Sequence, residues 1–314
     1  MVVPWHATYV LPELNLEERS LGRLSALARY SANATAAIVF DCIPITSSET
    51  SSDGLPALFA SYLAALKHFD RLAPISMSAA IEYRGWRTMI SSAGTTGPEI
   101  EERELPLEAH REDLADTHAA KELLVEPGYP MLLCVGSHEP RKNHLAVLHA
   151  AELLWRDGLR FSLVFVGGNA WKSGSFTAEL ERLKSQGRPV KSLTGVADSM
   201  LWAAYRIATG VVFPSLNEGY GLPVAESLAV GTPVVTSNFG SMLEIASLGG
   251  AVLVDPRDDL DLAAGMRSLL ESGPRSQRLR AEAGMTPIRT WDDYSAAVWT
   301  FLTAGRHEAR PAQN

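Results

Sequence analysis

Apolar and polar positions along the second half of the chain follow two alternating periods. Short runs rich in apolar and β-branched residues occur at 131–136 (MLLCVG), 161–167 (FSLVFVG), 190–195 (VKSLTG), 210–215 (GVVFPS), 232–237 (TPVVTS) and 250–255 (GAVLVD). Around them, apolar residues recur three and four positions apart over 144–157, 175–185, 199–208, 223–230, 241–246 and 260–270. The runs read as strands and the longer segments as amphipathic helices. Strands and helices alternating in this way build a parallel sheet with helices on both faces, so a complete doubly wound α/β domain is expected over 130–288.

The first half repeats the pattern with fewer units. Helices are expected at 17–30, 57–69 and 77–89, strands at 36–41 (AAIVFD) and 71–76 (RLAPIS), and a further strand through 100–105. This is short of the usual complement of a doubly wound domain, so residues 1–112 read as a partial Rossmann-like domain. The stretch 107–128 is charged and closes on a Pro-Gly pair, which makes 113–129 a linker. The polar tail, 304–314, is expected to fray.

Composition narrows the classes of function. A chain of 314 residues with 46% hydrophobic content can bury two ordinary cores. Its net charge of −8 argues against nucleic acid, whose phosphates need clustered Lys and Arg to release counterions. Cys42 and Cys134, the two cysteines, each sit in an apolar run, so neither a disulfide framework nor a cysteine zinc site is suggested. A cytoplasmic place fits this usage, with the inner face of a membrane as the alternative. No run approaches the roughly 18–20 apolar residues that a spanning helix needs, and the first ten residues lack the parts of a signal peptide. Two readings stay open for the helix at 58–69: lying on a lipid surface, or packing one face on a core. With only Lys67 and His68 as basic groups, the second is preferred.

In open α/β sheets ligands bind beyond the carboxyl ends of the strands, and three loops there carry chemistry. The first, PSLNEGYGLPVAESLAVGTPVV (214–235), has Gly219, Tyr220 and Gly221 leading into a helix with Pro223 in its first turn. The glycines admit a close backbone approach, and the helix directs its free amides near Leu222 at the cleft, a ready site for a diphosphate. Glu218 stands just before that helix and Glu226 within it, so one carboxylate can reach a sugar hydroxyl and the other a ribose. For either glutamate alone a solvated loop residue or a dipole-favoured first-turn carboxylate is the preferred reading; with the flanking glycines, the proline and the apolar helix, a functional pair is preferred. The second loop, GSHEPRKNHL (136–145), sets Arg141 and Lys142 at the start of the next helix. Cations there oppose the helix dipole, so a purely structural account predicts the reverse charge; an anionic ligand resolves the conflict. His138 and His144 fit no common zinc spacing and read as loop and surface residues, and no metal is expected. In the third loop, LTGVADS (193–199), Gly195 and Val196 can lie against a nucleobase while Asp198 or Ser199 caps the next helix; an ordinary turn explains it equally well.

This combination resembles the retaining glycosyltransferases of family 4, with the GT-B fold of two Rossmann-like domains. The resemblance rests on Glu218 and Glu226 in a Glu-x7-Glu pattern, EPRKN at 139–143, the LTG turn, and TWDDYSAAVWTFL near the end. FDCIPI (40–45) and the PIS turn (74–76) are similar to the bacterial mannosyltransferase-like branch. It implies transfer of a sugar from a nucleoside diphosphate sugar, GDP-mannose favoured, to a saccharide or lipid-linked acceptor, with no further cofactor. Arg141 and Lys142 would stabilise the leaving diphosphate, Glu218 hold the sugar hydroxyls and Glu226 the ribose, and 289–303 form a helix crossing back to the first domain. Replacing Glu218 by Ala is expected to abolish transfer with the fold intact.

Three departures stand against the family pattern. Many members carry Arg directly after the first loop's glycine, where this chain has Ser137, which places more of the phosphate binding on Arg141. Many have His where Phe40 stands, and nothing before Val10 resembles the family's opening strand and glycine-rich loop. Strands without neighbours expose unpaired backbone, so the chain is expected to be a fragment, or a wrongly started frame, of a longer protein; a stop codon just before Met1 would count against this. A binding module that no longer turns over, or a sugar-nucleotide epimerase of the same fold, remains the alternative.

Overall fold

In the computed structural model, which describes residues 5–106, 108–109, 114–285, 287 and 289–304, the chain divides into two units: 1–106 with 290–314, and 107–289. The first unit opens with β1 (Thr8–Leu11), α1 (Glu18–Tyr30), β2 (Ala34–Val39), α2 (Ile43–Thr46), α3 (Leu55–Leu66), β3 (Arg71–Pro74), α4 (Met77–Ser92) and β4 (Glu99–Ile100). Its four strands are parallel and adjacent in chain order. Right-handed crossovers along a sheet that grows in one direction put every connecting helix on one face. There Leu11, Ala37, Val39 and Leu72 meet Leu21 and Leu24 of α1, Phe59, Tyr62 and Leu66 of α3, and Tyr83 of α4.

Three details differ from the sequence expectations, one of them the short helix α2, which forms where no element was expected. A strand forms at Thr8–Leu11, where none was expected, because the four residues TYVL are too short a run to declare a period. The expected strand at 100–105 is assigned only over Glu99–Ile100, although the amides of Glu101 and Arg103 still donate to the carbonyls of Leu72 and Pro74. The helix discussed for lipid contact, α3, buries Phe59, Tyr62, Leu63, Ala65 and Leu66, and among the described residues no helix is long and apolar enough to cross a membrane.

The second unit runs α5 (Leu114–Leu124), β5 (Met131–Val135), α6 (His144–Arg156), β6 (Ser162–Val166), α7 (Gly174–Ser185), β7 (Val190–Leu193), α8 (Asp198–Ile207), β8 (Gly210–Phe213), α9 (Leu222–Ala229), β9 (Val234–Ser237), α10 (Gly240–Ala246), β10 (Ala251–Val254), α11 (Asp259–Leu270) and α12 (Pro274–Ala283). The six strands are parallel in the order β10-β9-β8-β5-β6-β7. Leu132, Cys134, Leu163, Phe165, Val212, Val235 and Val252 pack against α6, α7 and α11 on one face, and the alternate residues Met131, Leu133, Val164, Val211 and Val234 are equally buried on the other. Near-continuous apolar strands are what a sheet covered on both faces requires. The expected linker is corrected here: 114–124 is a helix that packs on α8, with Ala120 and Leu124 fully buried. Its charges occupy the outward positions and disguise the buried stripe.

The chain's last helix, α13 (Trp291–Thr303), belongs to the first unit. Tyr294, Val298, Phe301 and Leu302 cover Ala36 and Ala73, with Val10 and Ile38 packed alongside, on the sheet face that α1, α3 and α4 leave bare. A capping box starts it, Thr290 Oγ1 accepting from the Asp293 amide at 3.1 Å while Asp293 takes the Thr290 amide at 3.2 Å. At its other end the buried Arg71 donates to the Ala304 carbonyl at 2.5 Å, a cation placed where the helix dipole favours one.

Candidate functional site

Strand order in the second sheet reverses between β5 and β8, which pair directly. Loops leaving adjacent strands toward opposite sides of such a switch point open a crevice at their carboxyl ends. Of the three loops singled out above, the two richest in chemistry, after β5 and after β8, are the pair that flanks it. They are joined by backbone: the Arg141 carbonyl accepts from the Leu216 amide at 2.8 Å and lies 3.0 Å from Ser215 Oγ.

Arg141 and Lys142 occupy a short 3-10 turn, Pro140–Lys142, that precedes α6 instead of belonging to it. Asn143, with φ 59°, reverses the chain in left-handed backbone and ties it down by donating from Nδ2 to the Pro256 carbonyl at 2.7 Å. The turn aims both cations across the switch point at Glu218. Lys142 Nζ is 2.7 Å from Glu218 Oε1 and Arg141 Nη1 is 2.8 Å from Oε2. Ser215 Oγ donates to Oε1 at 2.7 Å, and Arg141 Nη2 meets Glu139 Oε1 at 2.8 Å. Side-chain exposures of 9% for Glu218, 12% for Lys142 and 15% for Arg141 make this a nearly dry cluster. Burial pushes the Glu218 carboxyl up, but Lys142 and then Arg141, with hydrogen bonds from Lys142 and Ser215, outweigh it and hold the group below the usual carboxylate range. Glu218 is therefore an ionised acceptor beside two fixed cations. Because Glu218 is a buried partner of Lys142 and Arg141 and not a solvated loop carboxylate, Glu218→Ala is expected to cost stability as well as turnover.

Gly221, with φ 104°, turns the chain into α9, whose first residues are Leu222 and Pro223. An L-residue at Gly221 would be strained by that φ, and its Cβ would stand 3.3 Å from Met242 Cγ. Gly219 and Tyr220 are buried and Leu222 is exposed at the head of the helix. Its dipole brings partial positive charge to this point. Ser137, half-buried on the β5 loop, contacts Glu139 Oε1 at 3.3 Å. Glu226, one turn into α9, accepts from the Tyr205 hydroxyl at 2.6 Å. Val196 lies after β7, two strands from β5 and so about 10 Å along the same sheet edge at ~4.8 Å per strand. The next helix takes neither expected cap: Ala197 holds the N-cap position of α8 and Asp198 its first turn, with no side-chain capping bond.

His138 and His144 are also corrected, being 3% exposed instead of surface residues. His138 Nδ1 is 2.9 Å from Asn169 Oδ1, and both rings pack against Phe165 and Phe176 beneath the β5 loop. Burial first, then the charges of His138 and Lys142, lowers the His144 pKa to about 3. Residues that sequence reasoning passed over are Ser215, Tyr205 and Ser241, whose hydroxyl donates to the Glu218 carbonyl at 2.9 Å. A hydroxyl at the end of an apolar strand or on the apolar stripe of a helix needs a partner when buried, and that signal was present at Ser215 and Tyr205.

Over residues 116–284 the sequence matches the family described as Glycosyl transferases group 1. It is 28% identical over 244 residues to the serotype-specific mannosyltransferase WbdA of Escherichia coli, covering 76% of this chain and 29% of that protein. The chain thus spans under a third of the length of that relative. It is 35% identical over 178 residues to the D-inositol 3-phosphate glycosyltransferase of Acidothermus cellulolyticus, covering 52% of this chain and 38% of that one. The crystal structure of Anabaena Alr3699/HepE in complex with UDP and glucose matches with a TM-score of 0.73 at 15% identity, covering 94% of this chain and 77% of that chain. That likeness is one of fold, the α/β architecture of the GT-B type.

Proposed function

The chain belongs to the group 1 glycosyl transferases, and on that premise we propose that it moves a sugar from a nucleoside diphosphate sugar to an acceptor hydroxyl with retention at the anomeric carbon, in the manner of family 4. The bond from that carbon to the diphosphate oxygen breaks, the bond to the acceptor oxygen forms on the same face, and the acceptor's proton passes to the departing diphosphate. Arg141 and Lys142, with the amide end of α9 near Leu222, receive the charge that develops on the leaving group. Glu218, kept ionised, accepts from the sugar hydroxyls, and Glu226 accepts from the ribose. Gly219, Tyr220 and Gly221 let the backbone approach the diphosphate, Ser137 borders it, and Val196 faces the base. No metal or further cofactor takes part. Similarity to a mannosyltransferase supports GDP-mannose as the donor, and a saccharide or lipid-linked glycan as acceptor.

The observation carrying this reading is the meeting of Arg141, Lys142 and Glu218 at the switch point, beside the head of α9. The test is a screen of nucleotide sugars with released nucleoside diphosphate and glycosylated product read by mass spectrometry. One donor should turn over, and Lys142→Ala should lower kcat by about 100-fold or more, the scale of losing one preorganised stabilising group. Nucleoside diphosphate binding without turnover of any donor would defeat the transferase reading.

A further inference from the structure

Tyr205 is fully buried on α8, and its hydroxyl donates to Glu226 Oε2 at 2.6 Å. Its backbone is held as well: the Tyr205 carbonyl accepts from Thr232 Oγ1 at 2.8 Å. Thr232 is bound twice to Ser227, through Ser227 Oγ to the Thr232 carbonyl at 2.7 Å and the Thr232 amide to the Ser227 carbonyl at 2.9 Å. Ser227 adjoins Glu226 in α9, so Tyr205, Thr232, Ser227 and Glu226 close a ring of bonds between the two helices. Thr232 and Ser227 are 1% and 0% exposed, and buried polar groups so fully paired fix one arrangement. The hydroxyls of Thr232 and Ser227, donating to main-chain carbonyls, already tie α8 to the end of α9; what the phenol adds is the orientation of a carboxylate. Burial, and then the charge and hydrogen bond of Glu226, keep the phenol's pKa well above its ordinary value, so it donates at any working pH.

We infer that Tyr205 is a positioning residue for the donor nucleotide: by holding one oxygen of Glu226 it makes the carboxylate meet a ribose diol in a single orientation. This rests on the assignment of Glu226 to the ribose. A carboxylate free to rotate loses more entropy on binding a diol than one already fixed.

The experiment is calorimetric titration of the full chain with GDP and UDP, and with the 2′,3′-dideoxy form of whichever binds more tightly, repeated on Tyr205→Phe, Thr232→Val and Glu226→Ala. The unaltered chain should prefer the ribose form by about tenfold or more, the scale of hydrogen bonds to a charged group. Tyr205→Phe, which keeps the ring volume, should cut that preference to about threefold, on the same scale, with the dideoxy form's affinity unchanged. Its donor KM should rise by the same factor at constant kcat. Thr232→Val should lower the melting temperature and keep the preference. A preference retained in Tyr205→Phe but lost in Glu226→Ala overturns the inference while leaving the ribose assignment standing, and an equal loss in Thr232→Val overturns it as a packing effect. A preference retained in Glu226→Ala, or no binding of either nucleotide, overturns the ribose assignment itself and the inference with it.

Discussion

Burial alone pushes the Glu218 carboxyl up; Lys142 and Arg141, 2.7 and 2.8 Å away, outweigh it and hold the group below its ordinary range. Replacing Glu218 by Ala leaves Lys142 without its carboxylate in a nearly dry cleft, while Arg141 keeps Glu139, so the fold should lose about 3 kcal/mol, the lower end of the cost of breaking a buried pair, besides losing turnover. Chemical denaturation checks this, and added GDP should restore part of the loss in the variant by supplying the missing negative charge; a variant as stable as its parent would contradict the coupling. His144 contributes to the loss of stability in acid. Its folded pKa lies near 3, below the ordinary 6.5, so the unfolded state binds the extra proton between those values. Stability from this group is complete above about pH 6.5 and falls as pH drops toward 3, by up to about 1.4 kcal/mol per pH unit. The lowered Glu218 pKa adds a second loss, setting in below its ordinary 4.5. In His144→Phe the fall between pH 6 and 5 should flatten, as read by melting temperature across pH; an unchanged slope would remove His144 from the account. That Arg141, Lys142 and Glu218 come together was legible from their places in two loops at the carboxyl ends of strands, but the conflict with a helix dipole was not the reason, since both cations stand in a 3-10 turn before α6 and meet carboxylates there. The burial of His138 and His144 was not, since it is made by Phe165 and Phe176 on other elements.

Elements hold these side chains by backbone contacts that the composition of the loops only hints at. The loops after β5 and β6 are zipped together, the Gly136 amide donating to the Val166 carbonyl at 3.0 Å and the His138 amide to the Gly168 carbonyl at 2.9 Å. A Cβ on Gly167 would fall 1.9 Å from the Gly136 carbonyl oxygen, whereas one on Gly168 would meet nothing within 4 Å. Gly167→Ala must therefore push the β5 loop, and Arg141 and Lys142 with it, off position. It should cost about 2–3 kcal/mol, as overpacking does, and weaken nucleoside diphosphate binding; Gly168→Ala should do neither. Equal behaviour of the two variants in thermal melts and titration would count against the zipper. On the β8 side, fully buried hydroxyls of Thr236, Ser237 and Ser241 donate to the carbonyls of Phe213, Ser215 and Glu218, pinning the loop to its neighbours. The six strands and helices α6 to α11 of this unit were readable to within a few residues, because strands buried on both faces leave little ambiguity of period, whereas α12, a mostly polar stretch that buries only Leu279 and Ala283, was not expected. The helix α5 escaped notice because its charged outer face dominates a stretch whose buried positions are few.

At the scale of the molecule, the first sheet has a face that its own connecting helices cannot cover. A sheet that adds each strand on the same side gathers its connecting helices on one face, so the cover for the other face has to come from elsewhere in the chain, and here it is α13. No local pattern within residues 1–106 can announce that, and the return of the last helix was legible only through family resemblance. Its burial of Tyr294, Val298, Phe301 and Leu302 on that face can be weighed. At ~1.5–3 kcal/mol for each large apolar side chain, the helix supplies roughly 6–12 kcal/mol as an upper bound, about the entire net stability of an ordinary domain at ~5–15 kcal/mol. The first unit should therefore not survive without it. A chain ending at Arg289 is expected to lose the calorimetric transition of the first unit and to bind a hydrophobic dye at the bared Ala36, Ile38 and Ala73 surface, while the second unit, whose core contains no residue of α13, keeps its own transition. Phe301→Ala in the full chain should reproduce part of the effect, at about 3–4 kcal/mol. Retention of the first transition within a few degrees in the shortened chain would mean that the sheet's second face does not need the helix, and the argument from winding direction would fail with it.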